Sequence, residues 1–344
     1  MDLLMTMKMM NKRLKKKLKQ KRGIESMSQK IQVVKIGLDL GASRVKASYV
    51  DSKGKVKDII FPNRIDNNTE MAKSGIKVEC EDSACMIGSI SGFSNLRKKK
   101  INYSNINEIL FAVAYHLKNQ LQILEDEISL HINTILPPKQ FMETRKEFKK
   151  VLLNVDGKKG TVAEQDFTLH IDKVLVGCEG VALLNILDID TLSNEATRIL
   201  LFDVGSSTID VVALVKIDDA WHIETAKTFE QGGSHMCELI ATKLNGDNPG
   251  LSFDGNTLER QMHYQLDGEL HELKEQVEAI DPLVDELLTF VDGIGNARMY
   301  KSVLAGGASR ILKENEKFKA SIKNFSCVPE NLLDCGNSRG ALQA

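Results

Sequence analysis

The sequence predicts an α/β protein of two similar lobes, each a mixed five-stranded sheet flanked by helices, with a cleft between them. Three observations predict it. A strand–Asp–turn–strand unit occurs twice, at 31–50 and at 199–215, about 160 residues apart. Each copy is followed by a third strand, and the second half then restarts the order of the first. A chain of 344 residues is too long for one ordinary core and suits two large lobes.

Hydrophobic residues make up 42% and Asp, Glu, Lys and Arg 27%, a balance that excludes a disordered chain. No stretch approaches the roughly 20 continuous apolar residues that a transmembrane helix needs. Cys80, Cys85, Cys178, Cys237, Cys327 and Cys335 contain no CxxC pair. We expect reduced thiols in a cytoplasmic protein and no zinc site. Residues 1–30 carry ten Lys and Arg against Asp2 and Glu25. We expect a disordered basic extension there, or a translation start at Met27. Its apolar part precedes its charges and no small-residue cleavage site follows, unlike a signal peptide. The remainder has a net charge of −9, which argues against direct nucleic-acid binding by the folded body. No membrane contact of the body is expected either.

Ile31–Leu40 reads as a buried strand, Gly41-Ala42-Ser43 as a turn, Val45–Val50 as the return strand and Val56–Phe61 as the third. Residues 62–103 are weakly patterned and read as a small insertion; the run Arg97-Lys98-Lys99-Lys100 reads as a solvated face or loop. A helix opens at Asn105 with Glu108 as cap partner, its apolar stripe running from Ile106 to Leu124. Ser129–Leu136 is a strand stopped by Pro137-Pro138, followed by a charged helix near 139–149. A hairpin turning at Asp156-Gly157 and a strand at about 170–176 come next, and a short apolar helix opens near Glu179.

Ile199–Asp203, Ile209–Val215 and Trp221–Thr228 are the three strands of the second copy. Gly232-Gly233 leads into a helix through Leu244, and 245–250 is a loop. Leu270, Leu273, Val277 and Ile280 form one stripe; Val284, Leu287, Leu288 and Val291 form another, with Pro282 in its first turn. Lys301–Leu304 is a strand, Gly306-Gly307 a turn and 308–316 a helix. Lobe I is thus 31–197 with an insertion at 62–103, completed by a C-terminal helix at about 334–344. Lobe II is 198–333 with an insertion at about 236–292.

The repeats carry the chemistry. Gly41, Ala42 and Ser43 follow Asp39; Gly205, Ser206, Ser207 and Thr208 follow Asp203. A phosphate chain needs backbone N–H donors at close range, and small residues permit that approach. The hydroxyls of Ser43, Ser206, Ser207 and Thr208 add donors. An Asp at a strand end before such a turn can hold Mg²⁺, mostly through water because Mg²⁺ dehydrates reluctantly. Gly306, Gly307 and Ala308, between a strand and a helix, offer bare backbone to a flat base and ribose, or simply make a tight corner. Asp210 either supports the second loop or is a plain hairpin carboxylate. GxxxxGK[ST] and GxGxxG are absent, as are protein-kinase motifs. The seven histidines show no ligand spacing.

These segments resemble the two phosphate loops and the adenosine motif of the actin, DnaK-type chaperone and hexokinase superfamily, whose lobes are ribonuclease H-like. Within it the chain looks most like the plasmid-segregation actins of the ParM (StbA) type over residues 31–344. Val176–Leu183, the Gly232-Gly233 turn and Asn337-Ser338-Arg339-Gly340 support that likeness. The resemblance implies an ATPase whose filaments form with ATP, possibly GTP, and segregate plasmid DNA through a ParR-like adaptor on a centromere-like site. It implies that Asp39 and Asp203 hold hydrated Mg²⁺, that Lys46 contacts phosphate, and that Glu179 orients the attacking water. It also implies that Gly232 and Gly233 belong to the nucleotide site. Cys178 stands where relatives commonly have Pro. A small-molecule kinase on the same fold, or a nucleotide-switched scaffold, is the alternative.

Overall fold

A computed structural model describes residues 31–70, 74–81, 83–89, 93–94, 100, 105–187, 196–218, 220–295 and 297–344. The basic extension at 1–30 and Arg97, Lys98 and Lys99 of the basic run lie outside the described residues.

The first copy of the repeat is β1 (Val33–Leu40), β2 (Arg44–Val50) and β3 (Val56–Pro62), followed by the short β4 (Arg64–Asp66), β5 (Ile76–Cys80), β6 (Ser83–Ile87) and β7 (Phe93–Ser94). Then come α1 (Ile106–Leu121), β8 (Glu127–Leu136), α2 (Pro138–Leu153), β9 (Lys158–Val162) and β10 (Gln165–Cys178), with a 3₁₀ turn at Val181–Asn185. The second copy is β11 (Arg198–Val204), β12 (Ile209–Ile217) and β13 (Ala220–Phe229). It continues through α3 (Gly233–Asp247), α4 (Gly255–Gln261), β14 (His263–Leu266), β15 (Glu269–Glu272), a 3₁₀ segment at Leu273–Ile280 and α5 (Asp281–Gly293). The chain closes with β16 (Lys301–Ala305), α6 (Ser309–Leu312), α7 (Glu316–Ser321), β17 (Ser326–Cys327) and α8 (Gly336–Gln343).

The duplication is visible in the strand orders. One sheet begins β3-β2-β1-β8-β10 and the other is β13-β12-β11-β16-β17. In each, the Asp-bearing strand pairs antiparallel with its return strand and parallel with the next strand inward. The strands of the weakly patterned stretch extend the first sheet to ten strands, because β5 pairs with β9 beyond β10. That extension explains α1. Ile109 to Ala114 are all fully buried, since a helix covered on every side is apolar all round.

Six local expectations change. Helix α1 stops at Leu121, Gln122 turns left-handed and Leu124 is left 91% exposed. Glu108 does not cap; it is buried and accepts a hydrogen bond from Ser83. The β9–β10 hairpin turns at Ala163 and Glu164, both at positive φ, while Asp156-Gly157 links α2 to β9. Asp267-Gly268 turns a second hairpin, β14–β15, by the same left-handed geometry, which leaves Leu270 outside the expected stripe and exposed. The expected helix at 308–316 is two short helices, the second capped by Asn315, whose side chain accepts from Phe318 N. Helix α3 also runs on through Asp247 into the expected loop.

Helix α8 crosses back from the second half and lies on the first sheet. A Cβ on Gly37 would stand 1.9 Å from Ser338 O, and one on Gly340 would stand 2.1 Å from Ala182 O. Backbone therefore packs on backbone, which only glycine allows. Ser338 hydrogen-bonds Ser48 at 2.8 Å, and Arg339 forks onto Asp58. Gly37→Ala is expected to lower unfolding free energy by about 1–3 kcal/mol, read as a shift of the urea midpoint. A midpoint equal to wild type would contradict this packing.

Candidate functional site

The register of the two hairpins builds the site. Strand-end Asp39 lies opposite Lys46 on β2, and strand-end Asp203 lies opposite Asp210 on β12. Directly opposed residues share a face, so each hairpin presents its Asp with a charged companion. The first companion is a cation and the second an acid. Lys46 Nζ sits 3.2 Å from Asp39 Oδ2. Asp210 is buried, so it is not a surface carboxylate; it accepts from Thr228 Oγ1 across the hairpin at 2.5 Å and lies 3.5 Å from Thr208 Oγ1 of the second loop.

Both hairpins face one cavity of about 980 Å³, at the upper end of the range for small-molecule sites. It is lined by Asp39, Gly41, Ala42, Ser43 and Lys46 from the first copy, and by Asp203, Gly205, Ser206, Ser207, Thr208 and Asp210 from the second. Glu179, Lys100, Asn337 and the Gly306-Gly307-Ala308 turn also line it. Gly306 has φ +82°, and a Cβ there would strike Val204 O at 2.4 Å and Asp203 Oδ1 at 2.7 Å.

Gly232 and Gly233 do not line the cavity. They support the second loop from behind: Gly233 N donates to Gly205 O at 2.9 Å, and a Cβ on Gly232 would meet Thr208 N at 2.5 Å. Ser206 is held by Ser234 and by Glu259.

Lys100 was expected on a solvated face, yet it is only 5% exposed. Its ammonium sits 3.2 Å from Asp39 Oδ1 and 3.3 Å from Ile135 O, and it donates to Glu179 Oε1. Asn337 is the other missed partner, donating to Asp203 Oδ2 at 2.6 Å while its Oδ1 accepts from Gly180 N.

Four buried carboxylates thus share two ammonium groups. Burial pushes Asp39 upward, but the Lys46 and Lys100 charges outweigh it and hold the carboxyl below its usual range. Burial dominates at Glu179, which is pushed up to about 7 despite Lys100, with Asp39 adding to the rise. Burial also raises Asp203, partly offset by Asn337, and raises Asp210 well above the usual carboxylate range with Glu179 adding to it. The constellation is short of positive charge, which fits a cation arriving with a ligand. Among the described residues, no three His, Cys, Asp or Glu side chains converge as a metal cage. The set suits an ion touched through water. Ser207 Oγ is buried without a partner, a donor left over for an anion.

No family model matches the chain, and no curated protein matches its sequence. Solved structures do match its fold. An archaeal actin homolog superposes with a TM-score of 0.70 at 16% identity, over 90% of this chain and 98% of that one. The archaeal homolog in complex with ADP gives 0.68 at 17% identity, over 90% and 98%. ParM in a 15-stranded filament from Clostridium botulinum gives 0.63 at 19% identity, over 91% and 99%. AlfA in a filament, from a B. subtilis plasmid, gives 0.57 at 16% identity, over 90% and 98%. The chain has an actin-like fold.

The titration of Glu179 has a stability consequence. The folded protein keeps this proton to about pH 7 whereas the ordinary value is 4.5, so the residue's contribution becomes less favourable as pH rises between those values and is level above. Relative to Glu179→Gln, wild type should lose on the order of 1–3 kcal/mol across that interval. Urea unfolding at a series of pH values checks it; a difference independent of pH contradicts it.

Proposed function

We propose that this chain is an actin-like ATPase that binds Mg·ATP between lobe I (31–197, completed by 334–344) and lobe II (198–333). It polymerises with ATP, turns over by hydrolysis and drives plasmid DNA segregation in the cytoplasm. The observation that supports this reading most is that Asp39 and Asp203, at equivalent strand ends of a duplicated hairpin, line one cavity. Among the described residues no helix is long and apolar enough to cross a membrane.

The backbone and hydroxyls of Gly41, Ala42, Ser43, Gly205, Ser206, Ser207 and Thr208 hold the phosphate chain from both sides. Asp39 and Asp203 would hold a hydrated Mg²⁺, and Asn337 fixes Asp203 from the returning helix. The bound metal ion neutralises charge on the phosphate oxygens. Lys46 and Lys100 keep the ammonium charge of lobe I beside the terminal phosphate. Glu179 orients the attacking water and accepts its proton; a carboxylate titrating near 7 is matched to that task at neutral pH. The bare turn at Gly306, Gly307 and Ala308 lies against the base, with GTP as the other candidate. Gly232 and Gly233 act through the second loop they support. A ParR-like adaptor on a centromere-like site would connect filaments to plasmid DNA.

Glu179→Gln is expected to bind ATP as wild type does but to hydrolyse it about 10²- to 10⁴-fold more slowly, giving filaments that persist. Lys100→Ala is expected to cost roughly 10²-fold in kcat. Phosphate release and sedimentation with and without Mg·ATP measure both. Protein that remains in the supernatant with Mg·ATP at about tenfold micromolar concentrations would contradict assembly. Unchanged turnover in Glu179→Gln would contradict its assignment.

A further inference from the structure

Two segments of this chain carry opposite charge, and each exposes a large apolar residue beside its charges. Helix α2 holds Lys139, Arg145, Lys146, Lys149 and Lys150 against Glu143 and Glu147. Its inner face packs Phe148 and Leu152. Its outer face repeats Met142, Lys146, Lys149 and Lys150 at three- and four-residue steps, which places them on one side, while Lys139 at the start of the helix lines the cavity. Met142 is 75% exposed. None of the five cations has a carboxylate partner among the described residues, although the Arg145 guanidinium stacks on Phe141.

The second surface is the segment from Asp267 to Asp292, with nine acidic residues against Lys274 alone. Its ion pairs are with Lys227, Lys243 and Lys317 of the same half of the chain. At its tip, the β14–β15 hairpin carries Asp267 and Glu269 beside Leu270, which is 68% exposed.

We propose that the α2 stripe of one copy docks on the β14–β15 tip of the next copy, a head-to-tail contact between two different faces. A contact between unlike faces does not close on itself by two-fold symmetry and propagates into a filament. Met142 and Leu270 form an apolar centre, and the lysines and carboxylates a charged rim, the usual division of a protein interface. The inference rests on the assembly reading above and names the surfaces that reading leaves open. Exposed charges at such a rim mainly steer and select partners, and their effect shrinks with salt.

The test is sedimentation of the full chain with Mg·ATP at low and high salt. Lys146→Glu with Lys149→Glu, and separately Asp267→Lys with Glu269→Lys, should each raise the concentration needed for assembly by roughly five- to twentyfold. The chain carrying all four reversals should recover, because complementarity is restored with both signs exchanged. Met142→Ser and Leu270→Ser should weaken assembly without changing its salt dependence. Nucleotide binding equal to wild type in each variant establishes that the fold is intact. Wild type that never pellets overturns the assembly reading and this contact with it. Wild type that pellets while the reversals have no effect, or fail to recover in combination, overturns this contact alone. If the α2 reversals abolish retention of a plasmid DNA fragment and leave assembly intact, the stripe is a nucleic-acid surface and the proposal fails.

Discussion

Everything at the centre of this molecule follows from too much buried negative charge. Asp39, Glu179, Asp203 and Asp210 line one cavity, and among the described residues Lys46 and Lys100 are the cations that bond to them. A buried carboxylate without compensation is costly, and the chain accepts that cost at one place, where two sheets meet over a cavity. The carboxyls respond unequally, Asp39 staying ionised between its lysines while Glu179 and Asp210 are driven toward the protonated form. Such a divergence of environments marks a working site more often than a structural one.

The charge stays in place because the chain is folded back on itself. Helix α8 leaves the second half, seats its backbone on Gly37 and Ala182, and reaches Asp203 through Asn337. The residue that holds an acid of the second hairpin thus sits on a helix packed against the first sheet. Arg339 on Asp58 and Ser338 on Ser48 secure the same helix.

Much of this was legible from residues alone. The paired Asp-x-Gly turns announced the duplication, and the register of strand pairs then put Asp39 and Asp203 at equivalent strand ends lining one cavity. Lys100 was not legible, because its burial depends on Asp39, Ile135 and Glu179 arriving from distant strands, while its own neighbourhood reads as a charge run. Gly232 and Gly233 were legible as a close approach but not as to what approaches, since a ligand and a neighbouring loop demand the same missing Cβ. Leu270 was misplaced because a helical stripe was started there, on the strand that follows Asp267-Gly268, a dipeptide that favours a hairpin turn. Asn337 showed in the sequence only as a likeness; its role depends on Asp203, 134 positions away.

The central claim is that carboxylates from both hairpins serve one hydrated metal ion on one nucleotide. Calorimetric titration of ATP into wild type, Asp39→Asn and Asp203→Asn, each with Mg²⁺ and with a chelator, addresses it most directly. The account predicts that Mg²⁺ strengthens ATP binding to wild type and that either substitution removes most of that gain while leaving metal-free binding nearly unchanged. A gain from Mg²⁺ that survives in both variants would contradict it.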